Sequence, residues 1–117
     1  ANKWNIPDWL EQEVRERDTS CVYCREPFTS AQVSRRNVAS WEHIINDASI
    51  VTRENIALCC CGCNASKGQK GLSAWLGGKY CKDRGISKAT VAPIIREAIE
   101  RGFECRLTSG CCLPLKY

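Results

Sequence analysis

Two Cys-x-x-Cys pairs constrain this chain more than any other feature. Cys21 and Cys24 form the first pair and Cys60 and Cys63 the second, with 35 residues between them. Each pair offers two sulfurs across one tight turn, and four thiolates arranged in this way meet the tetrahedral demand of Zn²⁺. Cys59 and Cys61 flank the second pair, but only Cys60 and Cys63 keep the same two-residue gap as Cys21 and Cys24. The expected result is a structural four-cysteine zinc site joining the chain before the first strand to the helix after the second. With 117 residues the core is modest, so such a staple can decide whether the fold forms at all.

Ten cysteines would also fit a disulfide-rich extracellular protein. Three of them are consecutive, Cys59 to Cys61, and no charged-plus-apolar leader opens the sequence, which favours reduced thiols, zinc and a cytoplasmic setting. Cys81, Cys105, Cys111 and Cys112 read as core thiols or exposed tail residues rather than a second metal site. No apolar run approaches the roughly 20 residues that span a bilayer, so no membrane association is expected.

The formal charge of +4 is unevenly spread. Residues 1–20 carry 3 basic and 5 acidic side chains, residues 21–60 carry 4 of each, and residues 61–117 carry 10 and 4. A local positive excess suits a polyanion such as nucleic acid, although a solvated charged surface is the commoner explanation of such an excess.

Periodicity supplies the elements. Residues 7–17 read as a helix with Pro7 in its first turn and Trp9, Leu10 and Val14 on one face, lying as a lid over the metal-bearing centre. Asn37 to Trp41 lead into Glu42 and His43 as a first strand, and Ile56 to Cys59 form a second, antiparallel one. A short helix starts near Cys63. Leu72, Trp75, Leu76 and Tyr80 predict a helix over 73–84 with Ser73 as N-cap, despite the propensity cost of Gly77 and Gly78. Val91, Ile94, Ile95 and Ala98 predict another over 90–101, with Thr90 as N-cap and Gly102 as the stop. The fold class is therefore α+β, as a single domain over 1–117.

Hydrolysing a phosphodiester needs a base to activate water and a cation to neutralise the charge that builds on phosphorus and on the leaving oxygen. His43 is the sole histidine; beside it Glu42 offers a carboxylate suited to a hard cation, and Asn64 an amide oxygen. The order Glu42-His43, Asn55, then Cys60-x-x-Cys63-Asn64 followed by Lys67-Gly68, resembles the HNH endonucleases, whose fold is the ββα-metal motif. The resemblance covers roughly residues 20–70, and the flanks resemble those of small free-standing bacterial or phage members. It implies that His43 is the general base, that Glu42 and Asn64 hold one Mg²⁺ or Mn²⁺, and that Asn55 accepts the imidazole N–H. The implied products carry a 5′-phosphate and a 3′-hydroxyl. The family more often has Asp-His where this chain has Glu42-His43, and often proline at the position of Asn46.

Neighbouring residues of a regular strand point to opposite faces, so Glu42 and His43 can share a site only if the strand ends or bends there. That is the expectation. Lys67, Arg35, Arg36 and Lys70 are candidates for DNA phosphate contacts, with Lys79 and Lys82 behind them, and no base-reading element is evident. The expected function is a metal-dependent DNA endonuclease, monomer or homodimer, nicking one strand per site. The alternative is a zinc-stabilised nucleic-acid-binding module without catalysis.

Overall fold

The computed structural model describes residues 4–102. It is an α+β fold built on one antiparallel hairpin, β1 (Ala39–His43) and β2 (Ile56–Cys60), followed directly by helix α2 (Cys61–Lys67). Helix α1 (Asp8–Arg17) precedes the hairpin, and α3 (Leu72–Leu76), α4 (Lys79–Arg84) and α5 (Pro93–Glu100) follow it. The register pairs Ala39 with Cys60, Trp41 with Leu58 and His43 with Ile56.

The sheet has two chemically different faces because side chains alternate along each strand. One face carries Trp41, His43, Ile56 and Leu58, and α1 covers it: Ile6, Leu10 and Val14 cluster with Ile56 and Leu58, with Trp4 and Trp41 at the margin. The other face carries Ser40, Glu42, Ala57 and Cys59, and it meets the larger core of Tyr23, Leu72, Trp75, Cys81 and Ile95. Helix α1 thus lies across the sheet from that core rather than over the cysteine cluster as a lid. Trp9 is 59% exposed, off the Leu10–Val14 face that sequence spacing had grouped it with, and the Arg53 guanidinium sits 5.6 Å over its ring.

Every residue of β2 is buried, and its outer edge is sealed by polar groups. The Asp18 carboxylate accepts the Leu58 N–H at 3.1 Å, the Leu58 carbonyl accepts the Val22 N–H at 3.2 Å, and the Ile56 carbonyl accepts from Arg17 at 2.8 Å. Arg17 also pairs with Asp18 at 2.7 Å, so the residue that ends α1 satisfies the strand edge.

The expected helix over 73–84 is two helices. Gly77 caps α3 and Gly78 is the N-cap of α4, as expected where two consecutive glycines remove helix propensity. Ser73 lies inside α3, whose N-cap is Gly71. Gly85 ends α4 in the left-handed region at φ 70°, as its position suggested. Helix α5 starts at Pro93 with Ala92 as N-cap; the Thr90 hydroxyl is engaged instead in the preceding turn, accepting the Ser87 N–H at 2.9 Å. Cys81 is buried on α4, a core thiol as expected, while Cys105, Cys111 and Cys112 lie outside the described residues. No helix among the described residues is long and apolar enough to cross a membrane.

Candidate metal and nuclease site

Cys21 and Cys24 lie in the turn before the hairpin, and Cys60 and Cys63 straddle the junction of β2 and α2. Their four sulfurs all lie within 4.8 Å of one another, and Cys24 Sγ is 3.9 Å from Cys60 Sγ. Tetrahedral zinc with bonds of about 2.3 Å places its sulfurs about 3.8 Å apart, so the cluster can bind zinc. Backbone amides already point at the sulfurs: Cys24 N–H to Cys21 at 3.4 Å and Cys63 N–H to Cys60 at 3.3 Å. Cys59 points into the other face of the sheet beside Ser40, and Cys61 is exposed, so the two pairs singled out by spacing form the cluster.

The electrostatics of the cluster suit a cation. Hydrogen bonds from Cys60 and Cys63 hold the Cys21 thiol far below the usual thiol range. Burial, with Cys21 and Cys60 nearby, pushes Cys24 up to about 12, and Cys63 is driven upward by the hydrogen bonds it makes to Cys21 and Cys60. Four crowded thiols cannot all ionise by themselves, and a dication resolves the conflict.

Tyr80 braces this cluster from α4. Its hydroxyl donates to Cys63 Sγ at 3.4 Å and accepts from Arg36 at 2.6 Å, while the Arg84 guanidinium lies 4.1 Å over its ring. Burial pushes Tyr80 up to about 12, which keeps it a donor. Arg36 therefore supports the cysteine cluster. A Cβ at position 62 would fall 2.1 Å from a guanidinium nitrogen of Arg36, so this side chain would have to shift to admit one.

Glu42 is buried on the α2 side of the sheet. Tyr23 donates its hydroxyl hydrogen to Glu42 Oε2 at 2.5 Å, and Lys67 Nζ lies 3.0 Å from the same oxygen. Burial raises the Glu42 pKa, opposed by Lys67 and by the Tyr23 hydrogen bond. Lys67 is 1% exposed and also donates to the Ile44 carbonyl at 3.1 Å, so it is an interior residue and not the surface phosphate contact its sequence position suggested. Arg35 and Lys70 are exposed.

Asn64 sits on the same side as Glu42. Its amide donates to Ser40 Oγ at 2.9 Å and to the Trp41 carbonyl at 3.1 Å, fixing α2 against β1 and leaving Oδ1 as the atom able to ligate. A carboxylate and an amide oxygen carried by the facing elements β1 and α2 fit a hard cation in donor type. The same carboxylate is already held by an ammonium and a phenol.

His43 is the last residue of β1, so the strand does end where expected. The ending does not swing its ring to the Glu42 side: the imidazole packs edge-on against Trp4, with ring centroids 5.2 Å apart, on the α1 face. Its Nε2 is buried with no hydrogen-bond partner. Burial lowers the His43 pKa, Asp47 opposes this, and Lys67 adds to it. Asn55, wholly buried, does not accept from the imidazole. Its Oδ1 accepts the Ile45 N–H at 2.6 Å, and its amide donates to the Ile45 and Ile50 carbonyls at 3.3 and 3.1 Å. It thereby fixes the turn that leaves His43 and acts on the ring only through the backbone.

Tyr23, Tyr80 and Asp18 were not foreseen as site residues. The only sequence signal was the place of Tyr23 between two cysteine ligands. No family model matches the chain, and no solved structure matches it. It is 31% identical over 96 residues to a CRISPR-associated endonuclease Cas9 of Corynebacterium diphtheriae. The match takes in 80% of this chain but spans only 8% of the length of that endonuclease, to a short stretch of which this chain is similar.

Proposed function

We propose that the chain is a metal-dependent DNA endonuclease domain of the HNH type. The observation that most supports the reading is the frame itself: four cysteines clamp the junction of a β-hairpin and α2, with Glu42 and Asn64 on the α2 side of the sheet and His43 ending β1 on the α1 face. Similarity to a stretch of an endonuclease supports it. His43 is the last residue of β1, so the reading needs a phosphodiester seated at the strand end to reach both faces of the sheet. His43, whose pKa burial lowers, is the base that takes a proton from water, a step that requires water to reach its buried, unpartnered Nε2. Glu42 and Asn64 would hold a Mg²⁺ or Mn²⁺, and that cation would supply neutralisation of the charge that builds on the phosphate. Exposed Arg35 and Lys70 contact flanking phosphates. One site per chain cuts one strand, so a monomer nicks and a homodimer cuts both.

A second reading is favoured by particular contacts. Glu42 already has two partners, and the Trp4 ring packs against the imidazole, as in a zinc-stabilised module that binds nucleic acid without cutting it. A supercoiled-plasmid assay with Mg²⁺ or Mn²⁺ separates the two. Conversion to open circles by wild type, lost in His43→Ala and Asn64→Ala, supports the nuclease. Equal binding by all three proteins with no cutting by any supports the binding module and overturns the nuclease.

A further inference from the structure

Lys67 is a buried charged group beside Glu42 that the proposed reaction leaves without a task. Lysine is almost never fully buried unless paired, and this one is 1% exposed. It stands three residues after Asn64, one helical turn on, so both project from the same face of α2 towards β1. Asn64 grips Ser40 and Trp41, while Lys67 grips Glu42 and Ile44. A buried carboxylate needs a positive charge close by in every state the protein occupies. An ammonium and a divalent cation on one carboxylate repel each other strongly in a medium of low dielectric. The lysine stem has four rotatable carbons, so its head can leave without moving the helix.

Building on the reading of Glu42 as a cation ligand, we propose that Lys67 is the internal counter-ion of Glu42, which a divalent cation displaces on binding. The Tyr23 hydroxyl, fixed by the cysteine turn, keeps the carboxylate aimed while the two positive charges exchange. Lys67 is thus a positioning residue that holds the ligand charged and ordered before the cation arrives, and its displacement weakens the cation's apparent affinity.

The test measures Mn²⁺ binding calorimetrically on the zinc-loaded full chain, as wild type, Lys67→Met and Glu42→Gln. Removing one partner of a buried pair leaves an uncompensated charge, so Lys67→Met should bind Mn²⁺ about tenfold tighter or more and gain more thermal stability from it than wild type. Equal or weaker binding by Lys67→Met, including no binding by either protein, overturns the proposal. Loss of binding in Glu42→Gln with Lys67→Met unchanged rejects the counter-ion alone. Wild-type affinity in Glu42→Gln rejects Glu42 as the ligand and with it the catalytic reading. Should Lys67→Met fail to fold, wild type still decides: the ¹⁵N resonance of the Lys67 ammonium must shift or vanish in step with Mg²⁺ binding. A resonance unmoved at saturation overturns the exchange.

Discussion

Tyr23, set between Cys21 and Cys24, donates its hydroxyl to Glu42 at 2.5 Å. The turn that supplies two cysteines to the cluster therefore also fixes the carboxylate next to His43. Burial and the nearby Glu42 carboxylate raise the Tyr23 pKa well above the ordinary phenol value, which favours the protonated, donating hydroxyl. The cysteine cluster able to bind zinc and the candidate reaction centre share one peptide turn, which makes the consequences of losing a cysteine ligand testable.

Cys60→Ser removes one of four sulfurs at the β2–α2 junction. Expected are loss of the zinc equivalent and loss of a cooperative thermal transition, because binding energy at such a site is folding energy. Metal analysis of the purified variant checks this. A full equivalent of zinc retained by Cys60→Ser would show that other sulfurs hold the ion.

Asn55→Ala removes three hydrogen bonds and leaves the Ile45 N–H buried without a partner. A loss of about 3 kcal/mol in urea unfolding is expected. Hydrogen exchange should quicken in residues 44–50 while the zinc content stays at wild type. Unchanged exchange there would mean that Asn55 does not hold the turn.

Asp18→Asn weakens the charge-assisted acceptor of the Leu58 N–H and breaks the pair with Arg17. About 2 kcal/mol is expected from stability, since hydrogen bonds to charged groups contribute more than neutral ones. Glu13, paired with Arg53 at the surface, is the control: Glu13→Gln should leave stability nearly unchanged, as exposed pairs do.

His43 titrates below the ordinary histidine value of 6.5 because burial disfavours its charged form. The unfolded chain therefore binds the proton more readily than the folded one, and stability rises with pH between the folded and unfolded pKa values. Its contribution is lost as pH falls from 6.5 towards the folded value. The sole imidazole gives an unambiguous NMR titration, and Trp4→Ala should move its midpoint up towards 6.5 by admitting water. A midpoint at or above 6.5 in wild type would contradict the burial of the ring.

The cysteine frame was legible because metal ligation imposes a spacing that survives in one dimension. Hairpin and helices followed from periodicity, apart from the break at Gly77–Gly78, where two weak residues together outweighed an apolar pattern that either alone leaves intact. The polar partners were not legible, because they depend on which face a side chain takes. Lys67 looked like a surface cation until the turn of α2 aimed it at Glu42, and Asn55 looked like a partner of His43 until its amide closed on Ile45 and Ile50. Alternation set Glu42 and His43 on opposite faces, and the strand end expected to bring them into one site leaves them apart, with Trp4 against the ring.

Because Asp18, Arg17 and Val22 cover the outer edge of β2, the hairpin offers no ready template to another copy of the chain. Val22 belongs to the cysteine turn, so stripping the ion frees that cover. Chelated protein should then turn cloudy rather than merely lose shape, as bared, wholly apolar strands recruit one another into aggregates.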